Sequence, residues 1–181
     1  MWQTMNNSIT IRFATSADND LLADIGAQTF YDTFAVDNAP ADMQAYLAAS
    51  FSPAIQAREL ADPQSVFLIA EIDGNAAGYA HVRRKHPPPG ITGARPIELG
   101  RFYARKEWHG RGVGAALMRA CLEYAARQNA DTLWLDVWER NLRAIAFYRK
   151  WEFTPVGAQT FQLGSDLQND LLMQRSVALK S

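Results

Sequence analysis

The sequence is short of cysteine and of net charge, and each shortage excludes a class of protein. Cys121 is the only cysteine among 181 residues, so no disulfide can form within the chain, and a reducing compartment is indicated. The 18 basic and 19 acidic residues give a formal net charge of −1. A global positive charge that would draw the protein to nucleic acid or to an anionic membrane is therefore missing, and partners must be bound at local sites.

Long apolar runs and metal-binding motifs are missing as well. No run approaches the roughly 20 residues that cross a bilayer, and the start of the chain, "MWQTMNNS", lacks the apolar centre of a signal peptide. We therefore expect a cytoplasmic protein that does not bind membranes. No spacing of His, Cys and carboxylate residues is typical of a metal site, so a protein without a metal is expected.

The patterns that are present predict one α/β domain. The chain is long enough for a single domain with a full core, which we place at residues 8–178 after a flexible segment at residues 1–7. In "SVFLIAEIDGNAAGYAHVRR", two apolar runs are joined by Asp73, Gly74 and Asn75, as a tight hairpin requires. The whole chain reads as β, helices, ββ, β-α-β-α, ββ. This order predicts a mixed central β-sheet flanked by helices.

Three glycines, Gly110, Gly112 and Gly114, open an amphipathic helix in "EWHGRGVGAALMRACLEYAARQ". Glycine is a poor helix residue unless the backbone must approach something closely. After a strand, such a turn favours phosphate, because free N–H groups and the positive end of the helix dipole meet there. A Walker A loop is excluded because Ala115 and Ala116 follow Gly114, and a Rossmann fold is disfavoured because the chain has only one such crossover. A flexible turn without a ligand stays open.

Two motifs resemble those of the GCN5-related N-acetyltransferase (GNAT) family. The segment "HGRGVG" at residues 109–114 is similar to the family's acetyl-CoA motif, with His109 in place of the usual Gln or Arg. The segment "NLRAIAFYRKWEF" at residues 141–153 is similar to the second motif, with Glu152 in place of a usual glycine. A closer likeness links the bacterial polyamine (spermidine/spermine) N-acetyltransferases to "TFYDTFAVDN", "DMQAYLAASF", "LGRFYARKEWHGRGVG", "WLDVWERN" and "VGAQTFQLGSDLQNDLLM".

The resemblance implies the GNAT fold and an acetyl-CoA-dependent N-acetyltransferase, with acetyl-CoA as co-substrate. The diphosphate of acetyl-CoA is then expected on the backbone amides of the glycine loop, with Arg111 as a candidate phosphate partner. The strand before the loop is expected to offer backbone groups to the pantetheine arm if its neighbouring strand splays away. The implied cofactor contacts are Phe102, Tyr103, Ala104, His109, Gly110, Arg111, Gly112, Val113, Gly114, Asn141 and Ala144.

Tyr148 and Glu98 are the candidate catalytic residues. Asn141 and Tyr148 share one helix face roughly 10 Å apart, and the resemblance makes Asn141 a cap that contacts pantetheine and Tyr148 the acid that protonates the leaving sulfur. Glu98 stands where some family members carry a carboxylate that deprotonates the amine through water. Strand alternation places Glu98, Gly100 and Phe102 on one face. A core role for Tyr148 and a surface role for Glu98 are the competing interpretations.

The acceptor that the resemblance implies is a primary amine of a small molecule, with a polyamine as the specific suggestion. One alternative is an acetyltransferase for protein N-termini or lysines, and another is a non-catalytic acyl-CoA-binding sensor. A peptide would need a groove open at both ends, and we expect the loop "HPPPGITGARP" and the helices near residues 41–61 to close one end. The sequence leaves open the acceptor, the role of His109 and whether the protein forms a homodimer.

Overall fold

Residues 8–178, the part of the chain that the computed structural model describes, form a mixed sheet of seven strands flanked by five α-helices. This confirms the α/β fold class predicted from the sequence. The predicted flexible segment at residues 1–7 lies outside the described residues. The elements are β1 (Ile9–Phe13), α1 (Asn19–Phe34), α2 (Pro40–Ser50), α3 (Pro53–Ala61), β2 (Ser65–Ile72), β3 (Asn75–Arg83), β4 (Pro96–Ala104), α4 (Val113–Arg127), β5 (Thr132–Trp138), α5 (Leu142–Lys150), β6 (Thr154–Leu163) and β7 (Asp166–Ser176).

The strands lie in the order β1-β2-β3-β4-β5-β7-β6. Neighbours are antiparallel except for β4 and β5, which are parallel because helix α4 carries the chain from the end of one strand back to the start of the next. Helices α4 and α5 cover one face of the sheet, where the large core cluster contains Leu117 and Leu133. Helices α1, α2 and α3 cover the other face. Of the helices at residues 8–178, none is both long enough and apolar enough to cross a membrane.

The parallel strands β4 and β5 separate soon after they begin. Their pairing runs only from Pro96 to Glu98 on β4 and from Thr132 to Trp134 on β5, whereas β5 keeps its pairing with β7 along its full length. The rest of β4 therefore turns unpaired backbone groups toward a gap in the sheet. This gap is the splay that the predicted contact between β4 and a pantetheine arm requires.

A β-bulge at Gly100 changes which side chains of β4 share a face. Val82 of β3 pairs with Leu99, and the preceding His81 pairs with Arg101, so Gly100 is an extra residue on β4. The extra residue reverses the alternation of faces beyond it.

The prediction that Glu98 and Phe102 share a face is therefore wrong. Phe102 packs against the core beneath α4 and α5, where its ring lies 6.1 Å from that of Tyr148. Tyr103 packs against the clusters beneath α1 to α3, on the side that Glu98 also faces. Side chains of β4 thus approach the gap from both faces of the sheet.

Candidate active site

A cavity of about 890 Å³ occupies the gap between β4 and β5. This volume is within the range typical of sites for small molecules and cofactors. On the α4 and α5 side, the cavity begins at the glycine loop and passes Asn141 and Tyr148. On the α1 and α2 side, it ends among carboxylates and aromatic rings, and we call this part the acceptor end. Its walls include Phe30, Phe34, Tyr46, Glu98, Asp136, Trp138, Gln159, Phe161 and Asp170.

The glycine loop leaves the N-terminus of α4 open to the cavity. Gly112 is the N-cap residue with φ of 89°, and no side chain caps the helix. Gly110 also has a positive φ of 76°, and a Cβ added there would meet nothing within 4 Å. Gly110 and Gly112 are thus needed for backbone conformation, and the space beside Gly110 stays free. The first N–H groups of α4 have no partner inside the helix, so the loop can bind an anion such as diphosphate.

His109 ties the glycine loop to two other elements. Its Nε2 donates to the carbonyl oxygen of Ala104 at 2.9 Å, since a carbonyl can only accept. Its Nδ1 therefore accepts from Arg143 Nη1 at 2.8 Å. The side chain that departs from the family pattern thus joins the end of β4 to the first turn of α5. It also holds Arg143, which the sequence reasoning missed, at the wall of the cavity.

All but one of the thirteen predicted site residues line the cavity. The exception is Arg111, whose guanidinium lies over the ring of Trp108 at 5.0 Å from its centre. A role for Arg111 as a phosphate partner stays a prediction.

Asn141 and Tyr148 stand at the two ends of the predicted stripe on α5. Asn141 Oδ1 accepts from the backbone N–H of Ala144 at 3.2 Å, which confirms the predicted helix cap. Tyr148 is 7% exposed and packs edge-on against Phe102 and Phe153. Burial, and then the charge of Asp136, raises the pKa of Tyr148. Its hydroxyl therefore keeps its proton at neutral pH and is available as a donor to the cavity.

Glu98 is buried, with only 2% of its surface exposed, so the interpretation as a surface residue is wrong. It forms a salt bridge with Arg83 Nε, and Lys85 Nζ lies 3.6 Å from its other oxygen. Two cations therefore share the charge of this carboxylate.

Asp136 and Asp170 are acidic residues of the acceptor end that sequence reasoning missed. Asp136 Oδ2 accepts from Gln159 Nε2 at 2.6 Å, and burial, followed by the charge of Glu98, raises its pKa. Asp170 is 8% exposed, and its Oδ1 has no hydrogen-bond partner within the described part of the chain. Burial, followed by the charges of Asp136 and Glu139, raises the pKa of Asp170 to about 7. A carboxylate interrupting the apolar strands "TLWLDVW" and "LQNDLLM" was the available signal.

Aromatic rings from α1, α2 and β6 enclose these carboxylates. The ring of Tyr46 lies 4.5 Å from that of Phe30 and 5.6 Å from that of Phe161, and Phe34 lies 5.7 Å from Trp138. Carboxylates together with aromatic faces favour a cation that carries hydrocarbon groups.

The loop at residues 86–96 does not close the acceptor end, contrary to the prediction. Ala94 and Arg95 donate their backbone N–H groups to Asp131 Oδ2 at 2.8 and 3.0 Å, and the N–H of Thr92 donates to Gln174 Oε1 at 2.8 Å. Asp131 precedes β5, so these bonds fasten the loop at the opposite end of that strand. Helix α2, which belongs to the helices named in the same prediction, does lie at the acceptor end, where the ring of Tyr46 is 5.6 Å from that of Phe161.

Comparison with known proteins agrees with this arrangement. The sequence profile of the acetyltransferase (GNAT) family matches residues 27–153. An uncharacterized N-acetyltransferase of Mycobacterium tuberculosis is 36% identical over 160 residues, which cover 88% of this chain and 98% of that protein. An uncharacterized N-acetyltransferase of Lactobacillus delbrueckii subsp. lactis is 33% identical over 153 residues, covering 84% of this chain and 88% of that protein.

Among solved structures, the PaiA N-acetyltransferase from Thermoplasma acidophilum in complex with coenzyme A has the same fold. Its TM-score is 0.76 at 19% identity, and the superposition covers 93% of this chain and 99% of that one. The family match spans most of the chain, and the fold and both motifs agree with it. The chain therefore belongs to the GNAT family of N-acetyltransferases.

Proposed function

We propose that this N-acetyltransferase transfers the acetyl group of acetyl-CoA to a primary amine of a small cationic molecule. The observation that carries the proposal is one cavity that joins the open N-terminus of α4 to the buried carboxylates of Glu98 and Asp170 and the half-buried carboxylate of Asp136. The open N-terminus of α4 suits an anionic cofactor, and the carboxylates suit a cationic acceptor.

The residues of the glycine loop fit acetyl-CoA, which supplies an activated acetyl thioester when it is bound. Open space beside Gly110 and the uncapped helix N-terminus fit its diphosphate. Arg143 adds a positive charge at the same wall. The unpaired edge of β4 offers backbone hydrogen bonds that orient the pantetheine arm. Tyr148 holds the proton that the leaving sulfur requires, because its hydroxyl stays neutral.

The closed acceptor end favours a small amine over a peptide. Ser165 Oγ in the β6–β7 turn donates to Asp42 Oδ2 of α2 at 2.7 Å, and Tyr46 of α2 contacts Phe161 of β6. These contacts join α2 to the hairpin across the end of the cavity, where a peptide would need an exit. A polyamine is the specific acceptor we propose, since several carboxylates and aromatic walls suit ammonium groups linked by methylenes.

The test is a panel of polyamines, aminoglycosides, amino acids and peptides incubated with acetyl-CoA, with release of free coenzyme A thiol as the readout. We expect turnover with small di- or polyamines. Tyr148→Phe should lower kcat by roughly 10²- to 10⁴-fold, as for a lost general acid, and should change acetyl-CoA affinity by no more than about 1 kcal/mol. Tyr31→Phe is the matched control, because Tyr31 is exposed on α1 and does not line the cavity.

Turnover of peptides alone would contradict the small-amine acceptor. Tight binding of acetyl-CoA without acetylation of any amine would favour the sensor. An unchanged kcat for Tyr148→Phe would remove the acid role from this hydroxyl.

A further inference from the structure

The three carboxylates of the acceptor end differ in what they already bind. Glu98 is paired with Arg83 and Lys85, and Asp136 accepts a hydrogen bond from Gln159 at 2.6 Å. Asp170 is also buried, yet its Oδ1 has no hydrogen-bond partner among residues 8–178. An unpaired buried oxygen is costly unless a ligand or water satisfies it. Asp170 is thus the carboxylate that is left to interact with the contents of the cavity.

We propose that Asp170 is the proton acceptor for the ammonium group of the acceptor. This assignment rests on the proposed function and deepens it by naming the base. Glu98, the base predicted from the sequence, is the less suitable group, because Arg83 and Lys85 already lie against its two carboxylate oxygens.

The register of the sheet places Asp170 beside the other carboxylates. Asp170 pairs with Trp138 on β5 and with Gln159 on β6. Asp136 lies two residues before Trp138, so Asp136 and Asp170 are diagonal neighbours on the same face of the sheet. All three residues that flank Asp170 here also line the cavity. An amine that reaches the gap between β4 and β5 from this face therefore passes Asp170.

The charges around Asp170 match the requirements of a base. After burial, the negative charges of Asp136 and Glu139 raise its pKa to about 7, where a carboxylate can accept a proton from an ammonium and release it again. The other charged groups that line this end of the cavity are Glu98 with its cations Arg83 and Lys85, Asp32 on α1 and Arg101 on β4, which pairs with Glu59. Asp166 on β7 accepts a hydrogen bond from Gln168.

The proposed step moves one proton and balances on both sides. R–NH₃⁺ and the Asp170 carboxylate become R–NH₂ and the Asp170 carboxylic acid, so the nitrogen lone pair is freed for attack on the acetyl carbonyl. The proton then leaves Asp170 for water before the next turnover. The step needs only the acceptor amine itself.

The experiment measures kcat/KM from pH 5.5 to 9 with an amine that the panel identifies. The wild type should gain activity as the pH rises through about 7. Asp170→Asn should lose this rise of kcat/KM with pH, which we call the pH limb. Its kcat/KM should fall roughly 10²- to 10⁴-fold at pH 7 and recover in part at high pH, where free amine is present. Asp170→Glu keeps a carboxylate and should keep the limb. Asp73→Asn, an exposed change in the β2–β3 turn, is the matched control.

A limb near pH 7 that survives in Asp170→Asn would overturn the assignment, and its loss in Glu98→Gln alone would transfer the role to Glu98. A raised KM with an unchanged pH limb would make Asp170 a binding contact instead. Acetyl-CoA affinity of Asp170→Asn, measured by calorimetry, should match that of the wild type. If the wild type acetylates no amine, the proposed function fails and the assignment fails with it, whereas turnover with an unaltered limb refutes the assignment alone.

Discussion

Replacing Asp170 with Asn should make the fold more stable at alkaline pH. The pKa of Asp170 rises from 3.8 to about 7 on folding, chiefly because the carboxylate is buried beside Asp136. The folded protein therefore binds more protons than the unfolded chain between these two pH values. Its free energy of unfolding must fall as the pH rises through this window, and the loss is complete above about pH 7.

The magnitude follows from the pKa change. A difference of about three pKa units corresponds to about 4 kcal/mol. Water in the open cavity screens part of this cost, so we expect Asp170→Asn to be more stable than the wild type by about 2 kcal/mol at pH 8. At pH 4 the two proteins should be nearly equal, because the wild-type carboxyl is then protonated in the folded state. Asn has no charge to desolvate and keeps the shape of the side chain.

Urea unfolding followed by tryptophan fluorescence at pH 4, 6 and 8 measures the difference. The comparison of variant with wild type cancels other titrations, such as that of Asp18, whose pKa is lowered to about 2 by its hydrogen bonds with Arg12. Asp73→Asn serves again as the control and should follow the wild type at every pH. The reasoning is refuted if Asp170→Asn shows the same pH dependence as the wild type, since Asp170 would then ionise as it does in the unfolded chain.

Two further predictions concern the other parts of the site. Gly112→Val should weaken acetyl-CoA binding, measured by calorimetry, by about tenfold or more, because φ of 89° at the helix cap disfavours a branched side chain. Gly74→Val is the control: it has a similar φ of 77° and open space in the β2–β3 turn, and it should leave the affinity for acetyl-CoA unchanged. Glu98→Gln should lower the free energy of unfolding by about 2 kcal/mol in urea at pH 7, since it leaves Arg83 without its buried partner while Arg83 itself keeps access to water. Unchanged affinity for folded Gly112→Val, or unchanged stability for Glu98→Gln, would contradict these assignments.

The sequence was sufficient for the features that depend on local chemistry. The hairpin at Asp73 and Gly74, the cap at Asn141 and the glycine opening of α4 each follow from short-range rules, and the structure has them all. The order of helices and strands then predicted the mixed sheet, because a single β-α-β crossover imposes a single parallel pair. These features fix where the cofactor loop stands relative to α5.

The acceptor end was harder to predict because it depends on register and on long-range packing. Nothing in "IELGRFYARKEW" shows that Gly100 is an extra residue, so simple alternation put Glu98 on the wrong side relative to Phe102. Asp136 and Asp170 are 34 residues apart in sequence and become neighbours only when β7 pairs with β5. A carboxylate within an apolar strand indicates a functional or otherwise unusual position, but the pairing of the strands decides which residues lie beside it.

The bulge at Gly100 and the splay of β4 from β5 together explain how two molecules can meet in one cavity. The splay opens a passage through the sheet, and the bulge puts Glu98 on the face of Tyr103 rather than on that of Phe102. Tyr148, on α5, reaches the passage from the first face, while Asp170 on β7 reaches it from the second. The acid and the proposed base therefore lie on opposite sides of the sheet. Because of this separation, the buried neutral hydroxyl of Tyr148 can protonate the sulfur while the carboxylate of Asp170, which lies among negative charges, accepts the proton of the amine. Neither group then changes the pKa of the other by direct contact.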